Sequence, residues 1–323
     1  MSTAEPTSVR VIKPGWCTTV QDLGRHGYQQ YGVSVSGAMD RLALVIANRL
    51  VKNPDAAAAL EITLVGPELL FQQAAVFAIT GADLSPAIDG QGVSMWTTAA
   101  IPAGSRLTFG RRRSGARSYV AVAGGFDVPL LWGSRSTHLS TRAGGFSGFN
   151  GRALMADDTL QVGLIASERP RIGATLAHDN VPIYTDSPNL RVVPGPQLAG
   201  ARALSVLTKS PYRVSSQSDR MGYRLEGQQI PDLPAHPQIS DGTAMGALQV
   251  PPDGQPILLM ADAPTTGGYP KLAVVISADL SQAAQLQPGD TLTFHTTTIA
   301  EAEAALADQW RQINEALPRR EVL

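Results

Sequence analysis

The sequence contains a single cysteine, Cys17, among 323 residues. One thiol excludes an internal disulfide and any cysteine-rich metal site. Lying between Trp16 and two threonines, it reads as a small packed residue rather than a nucleophile. The five histidines (His26, His138, His178, His236 and His295) show no HxH or HxxxH spacing, so no metal centre is expected. Charged residues make up only 16% of the chain and balance to a net charge of −1. That balance argues against a nucleic-acid partner or a membrane surface recruited by basic residues. No apolar run approaches the roughly eighteen residues that a membrane-spanning helix needs. The start, Met-Ser-Thr-Ala-Glu-Pro, has no basic segment followed by an apolar one, so a cytoplasmic protein without a secretory signal is expected. Several motifs are also missing. Without G-x-x-x-x-G-K-[ST] there is no P-loop, and without G-x-S-x-G a self-contained serine hydrolase is disfavoured. The cluster from Gly144 to Gly151 departs from the dinucleotide fingerprint and reads as a loop between strands. No Met-Lys-Met segment is present to carry biotin. Lysine is scarce, at four against 22 arginines, which makes Lys13 and Lys271 conspicuous.

What the chain does have is 43% apolar residues, 31 glycines and 23 prolines. The length suits two ordinary domains or one large one. Short apolar runs, Ala75-Val-Phe-Ala-Ile-Thr80, Ser118-Tyr-Val-Ala-Val-Ala123, Ile257-Leu-Leu-Met260 and Leu272-Ala-Val-Val-Ile276, are bounded by glycine, proline or aspartate. Such runs predict buried strands, and their density favours barrels or sandwiches over βαβ units. Two helices are predicted. Ser36 can cap one from about Gly37 to Val51, with Ala38, Leu42, Ile46 and Leu50 on one face and a stop at Asn53-Pro54. Thr298 with Glu301 forms a capping box for a second, which ends near Leu317 before Pro318. An internal echo pairs Asp89-Gly-Gln-Gly-Val93 with Asp253-Gly-Gln-Pro-Ile257. In the same order, Pro102-Ala-Gly-Ser-Arg-Leu-Thr-Phe109 matches Gln287-Pro-Gly-Asp-Thr-Leu-Thr-Phe294. The second copy holds about 21 extra residues between its elements. Two related barrels are expected, the second with an insertion.

Polar chemistry concentrates in residues 219–279 and in a block near the start. Arg220 and Arg224 are four apart; on an extended strand they would point the same way, and a guanidinium fork clamps a carboxylate or phosphate. The plainer alternative pairs them with Asp219 and Glu226 for structure alone. Thr265-Thr266-Gly267-Gly268 offers hydroxyls and backbone N–H groups for an anion-binding concavity. Asp262 precedes it and Lys271 follows, a grouping suited to stabilising developing negative charge. Tyr223 and Tyr269 are candidate hydrogen-bond donors or lids, or else core aromatics. Asp22, Arg25 and Asp40 are the candidates in the N-terminal block, with Asp40 alternatively stabilising the first turn of its helix.

The strings TTVQDLGR (18–25), SGAMD (36–40), RMGYRLEG (220–227) and TTGGYPK (265–271) carry a family resemblance, with Leu60-Glu61 through Gly66-Pro67 between them. From about Val9 to Phe294 the chain resembles one family. Its members are the C components of 5-oxoprolinase, the kinase-inhibitor antagonist KipA, allophanate hydrolase subunit 2 and biotin-dependent carboxyltransferase domain proteins. The resemblance implies a mainly β fold of two tandem cyclophilin-like barrels, at 8–185 and 186–298, followed by a C-terminal helix and tail at 299–323. It implies the C component of an ATP-dependent 5-oxoprolinase that opens the lactam 5-oxoproline to glutamate. A B-type (KipI-like) subunit and an A-type (LamB/YcsF-like) subunit are the implied partners. ATP with Mg would be shared with the partner subunit, and the isolated chain would be inactive. Arg220 or Arg224 would bind the substrate carboxylate, and Thr265, Thr266 and Lys271 would face the phosphorylated oxygen. The alternatives are a KipA-like module that sequesters a KipI-type inhibitor, or a carboxyltransferase or allophanate hydrolase component of urea or amide metabolism. Two positions depart from the family pattern. Asp157-Asp158 stands where Gly-Asp is usual, and Lys52-Asn53 where Gly-Asn is common. The first is expected to reshape a hairpin, because aspartate tolerates a positive φ less readily than glycine.

Overall fold

The computed structural model describes residues 7–139, 145–165, 168–195, 201–231 and 239–319, so Gly144 and His236 lie outside the described residues. The fold is mainly β. The chain divides into two compact units, the first comprising residues 1–25, 40–183 and 312–323, the second 26–39 and 184–311. The sequence reading kept 26–39 within its first domain and set 299–323 apart. By contacts, 26–39 joins the later unit, and the C-terminal segment is shared between the two.

Unit 1 has two sheets. The seven-stranded one runs in the order Phe126–Asp127, Thr159–Val162, Ser8–Lys13, Glu68–Phe71, Arg106–Phe109, Pro86–Ile88, Gln91–Gly92. The five-stranded one runs Cys17–Gln21, Ala59–Thr63, Ser114–Val122, Ala75–Asp83, Thr98–Ile101. Their side chains meet in one core that includes Val9, Val11, Leu60, Leu69, Phe71, Phe77, Ile79, Leu107 and Val120. The two long central strands are buried almost throughout, which is why their sequences are near-continuous apolar runs. The helix Arg41–Leu50 packs on those strands, with Thr80 Oγ1 donating to the Ala43 carbonyl at 2.7 Å.

That helix starts later than predicted. Ser36 (φ 57°) and Gly37 (φ 89°) are left-handed and cannot open a right-handed helix. Asp40 is the cap, its carboxylate accepting the Ala43 N–H at 3.0 Å. The stop at Asn53 is as expected, with Asn53 N–H reaching the Asn48 carbonyl at 2.8 Å. The predicted capping box of the last helix, Ile299–Ala316, is also present: Thr298 N–H donates to Glu301 Oε2 at 2.9 Å and Glu301 N–H to Thr298 Oγ1 at 3.2 Å.

Unit 2 is a closed barrel of seven strands in the order Asn189–Pro194, Lys271–Val275, Ala247–Gln249, Ile257–Leu259, Gly222–Gly227, Tyr212–Val214, Thr291–Thr296. Closure is by parallel pairing of the first with the last. Leu190, Val192, Tyr212, Tyr223, Leu225, Leu248, Leu258, Leu272 and Phe294 fill it. A short ribbon, Asp241–Gly242 against Thr266–Gly267, stands apart from the barrel ladder.

The internal echo has a structural counterpart within each unit. In the first, Gly104 N–H donates to the Phe71 carbonyl (2.8 Å) and Phe71 N–H to the Ser105 carbonyl (3.0 Å). In the second, Gly289 N–H donates to the Val214 carbonyl (2.8 Å) and Val214 N–H to the Asp290 carbonyl (2.8 Å). Both turns are closed by an i to i+3 bond, Ser105 N–H to Pro102 O and Asp290 N–H to Gln287 O, at 3.2 and 3.1 Å. The extra residues of the second copy carry one strand of the ribbon.

Both family departures adopt the left-handed backbone that favours glycine. Asp157 adopts φ 71° and Lys52 φ 60°. Asp157 Oδ1 accepts from Arg10 Nη2 at 2.6 Å. Its neighbour Asp158 is gripped by both Arg152 nitrogens at 2.7 and 2.8 Å, which holds that carboxyl below the usual range. A side chain in the left-handed region costs about 1–2 kcal/mol, of which glycine's extra unfolded-state freedom offsets about 0.5–1. Lys52→Gly is therefore expected to raise the unfolding free energy by about 0.5–1 kcal/mol in urea denaturation. A loss instead would show that the exposed Lys52–Glu168 contact at 3.9 Å outweighs the backbone term.

Candidate functional site

Three of the sequence blocks meet within unit 2 at a buried carboxylate. The Asp262 side chain is fully inaccessible. It accepts from Arg220 Nε at 3.0 Å and Arg220 Nη2 at 3.1 Å, and from Ser36 Oγ. Arg220 Nη2 also donates to the Gly37 carbonyl at 2.7 Å. The left-handed pair Ser36-Gly37 explains both contacts, since it turns a hydroxyl and a carbonyl toward the same ion pair. Ser34 Oγ adds a bond to the Ala263 carbonyl at 2.9 Å. A bidentate guanidinium–carboxylate pair in this setting is a rigid fixture, and the Pro264–Gly267 turn leaves directly from it.

Beyond that turn lies the ribbon, and Lys271 is its anchor. Lys271 is buried on its barrel strand, and Nζ donates to Asp241 Oδ2 at 2.6 Å and to the Gly242 carbonyl at 2.7 Å. Thr243 N–H donates to the Thr265 carbonyl at 3.0 Å, and its hydroxyl to the Pro264 carbonyl. Gln249, across the ladder from Lys271, is 5% exposed. Among the described residues its Nε2 has no hydrogen-bond partner, and it lies against Gly267, where a Cβ would come within 2.4 Å of it. Thr265 is half-buried, while Thr266 is exposed and Tyr269 is 46% exposed.

The two arginines do not share a face. The strand begins only at Gly222, so Arg220 sits in the preceding turn and is buried, whereas Arg224 is exposed. The expected partners also differ. Glu226 pairs with Arg213 at 2.7 Å, and Asp219 Oδ1 accepts the Met221 N–H at 2.8 Å. Arg224 lines a cavity of about 200 Å³ with Gln217, Met221, Ile257, Leu259 and Pro264. Among the described residues its guanidinium has no hydrogen-bonding partner. Tyr223 is a core aromatic, 1% exposed.

The N-terminal candidates belong to unit 1 and are hydrogen-bonded within it. The Asp22 carboxylate accepts from Gly24 N–H (2.7 Å), Ser134 Oγ (2.7 Å), Arg135 N–H (2.6 Å) and Ser136 Oγ. Arg25, fully buried, donates to the Ser136 carbonyl and lies over the Phe146 ring at 5.0 Å. Asp40 caps its helix, and its N–H donates to Tyr119 Oη at 2.8 Å. That hydroxyl in turn donates to Glu61 Oε2 at 2.7 Å. Burial, with the Glu61 and Asp40 charges adding to it, holds the Tyr119 hydroxyl well above its ordinary pKa.

The sequence reading gave Ser36 only a helix-capping role and assigned none to Asp241 or Gln249. Both lie in the dense block, Asp241 beside Gly242. Among the described residues no group of three His, Cys, Asp or Glu side chains gathers that could hold a metal ion. Among the described residues no helix is long and apolar enough to cross a membrane. Of the candidate anion donors, Lys271 Nζ is engaged by Asp241 and the Gly242 carbonyl, whereas Arg224 is exposed on its cavity.

Comparison with known proteins places these features in context. The carboxyltransferase domain, subdomain A and B, family matches residues 31–296. The C component of the Escherichia coli 5-oxoprolinase is 43% identical over 307 residues, covering 94% of this chain and 96% of that protein. The urea amidolyase of Saccharomyces cerevisiae is 31% identical over 90% of this chain, which spans only 17% of that protein. The solved Kluyveromyces lactis urea carboxylase superimposes with a TM-score of 0.89 at 29% identity over 99% of this chain, again a minor part (30%) of the longer molecule. With most of its length matched, including every motif from SGAMD to TTGGYPK, the chain belongs to the carboxyltransferase domain, subdomain A and B, family.

Proposed function

We propose that this chain is the C component of an ATP-dependent 5-oxoprolinase, working with a B-type subunit and, for the full cycle, an A-type one. The observation that carries this reading is 43% identity to the C component of the Escherichia coli enzyme along nearly the whole of both proteins. In the proposed reaction the γ-phosphoryl of ATP passes to the lactam oxygen and ADP leaves. Water then adds to the activated carbon, the ring C–N bond breaks as nitrogen gains a proton to leave an acyl phosphate, and a second water hydrolyses that to glutamate and phosphate. Lys271 and the Thr265–Gly268 turn face the oxygen on which charge develops, where each preorganised donor is worth about 2.7–4 kcal/mol of barrier. Arg224, open on its cavity, takes the substrate carboxylate. Arg220 positions the turn through Asp262 instead of contacting substrate. The ATP site and its Mg are assigned to a shared or partner surface.

The test is ATP hydrolysis by the chain co-purified with its B-type and A-type partners, with and without 5-oxoproline. Turnover that requires 5-oxoproline and yields glutamate is the expected result. A tight complex with no such turnover would overturn the reading in favour of a KipA-like regulator. A second reading, carboxyl transfer to urea, is favoured by the superposition on urea carboxylase. It predicts activity only when carboxybiotin is supplied on another protein, because this sequence has no Met-Lys-Met segment of its own.

A further inference from the structure

Gln249 presents a buried amide donor that nothing in the described chain satisfies. Such a group is destabilising unless something accepts a hydrogen bond from it. The Asp241 carboxylate sits on Lys271 Nζ at 2.6 Å, and Lys271 is the residue across the ladder from Gln249. Asp241 is itself 58% exposed at the side chain, while Lys271 is 8% exposed. The ribbon that carries Asp241 has two residues per strand, and besides the lysine it is held by the Thr243 bonds to the Thr265 and Pro264 carbonyls.

We propose that Asp241 is a placeholder: its planar carboxylate occupies on Lys271 the position that the amide group of a small substrate takes, and Gln249 Nε2 is the second donor to that amide's oxygen. The proposal rests on the lactam-opening reading, and it adds Gln249 as a substrate-binding residue and the ribbon 241–242/266–267 as a latch. Substrate displaces Asp241 from Lys271, the ribbon shifts, and the amide oxygen gains one charged and one neutral donor. A Cβ at Gly267 would lie 2.4 Å from Nε2, so the glycine packs directly against the donor. A planar O–C–N group matches the O–C–O it replaces, so the favoured ligands are small amides and lactams.

Calorimetric binding of 5-oxoproline and of 2-pyrrolidone, a lactam without the carboxylate, to the full chain in complex with its B-type partner and without ATP tests this. Gln249→Leu is expected to weaken binding of both by about tenfold while leaving thermal stability equal or higher, since an unsatisfied donor is removed. Gln249→Glu, which keeps the shape but not the donor, should weaken binding at least as much. Asp241→Asn is expected to tighten binding by about twofold or more, because the competing charge is gone. Tighter binding in Asp241→Asn is the result that a purely structural role would not give. Weaker binding in that variant, or an unchanged affinity in both Gln249 variants, overturns the inference. Absence of 5-oxoproline turnover in the assembled enzyme, with the binding pattern intact, would instead remove the catalytic reading and leave the latch standing.

Discussion

Asp262→Ala is expected to destabilise the barrel by about 3–5 kcal/mol, the loss typical when one partner of a buried ion pair is removed. The substitution strands the Arg220 guanidinium at 7% exposure, with the Gly37 carbonyl still accepting from Nη2 but no carboxylate against it. It also leaves Ser36 Oγ without its acceptor. Hydrogen exchange in the strands Gly222–Gly227 and Ile257–Leu259, which flank Arg220 and Asp262 in sequence, should rise by the corresponding factor. The double change Arg220→Met with Asp262→Leu should recover much of the loss, because a well-packed apolar pair can equal or exceed a buried salt bridge. A single-variant loss under about 1 kcal/mol, the range of exposed pairs, would falsify the assignment of Asp262 as the fixture of the turn.

The second large effect belongs to unit 1. Gly124 has φ +100°, and a Cβ added there would lie 2.1 Å from the Gly163 carbonyl oxygen. Its N–H is also committed, to Asn53 Oδ1 at 2.8 Å. Gly124→Ala therefore combines a disallowed backbone angle with a clash against main chain that no rotamer relieves. About 1–3 kcal/mol for the strain and about 1–3 for the overpacking give an expected loss of roughly 2–6 kcal/mol. Gly104→Ala is the comparison, since φ is +80° there and nothing lies within 4 Å of the new Cβ. It should show the conformational part alone, about 0.5–1 kcal/mol once glycine's unfolded-state freedom is offset. Equal losses in the two variants, measured by the same denaturation, would mean that the Gly163 contact relaxes freely.

Much of this architecture was legible in the residues, and the failures have a common cause. Strands appeared wherever short apolar runs met glycine or proline, because burial on both faces leaves no other pattern. The box at Thr298 and Glu301 and the cap at Asp40 are local chemistry, decided within one turn. The start of the first helix was misplaced because Ser36 has the right side chain and the wrong φ, and the reason for that φ lies far away at Asp262. Arg220 and Arg224 were set on one strand because periodicity does not say where a strand begins. Asp22 and Arg25 looked like site residues because buried polar networks use the same side chains as binding sites. Their partners at 134–136 are more than a hundred residues away. Gln249 and Asp241 stood in the dense block without a role, since one matters through its barrel register against Lys271 and the other through an ion pair with the same lysine.

The hydroxyl of Ser36 and its acceptor on Asp262 are separated by 226 residues of chain. At about 5–20 residues per second, a ribosome would release residues 26–39 some ten to forty-five seconds before their partners exist. During that interval the segment between the first strands and the first helix has no home, and the early half of the molecule must fold around an unplaced loop. A gene split at the visible boundary, Ile183/Tyr184, would make this delay permanent. The later fragment would be born without the strap that closes its ion pair, and the earlier one would carry that strap with nothing to grip.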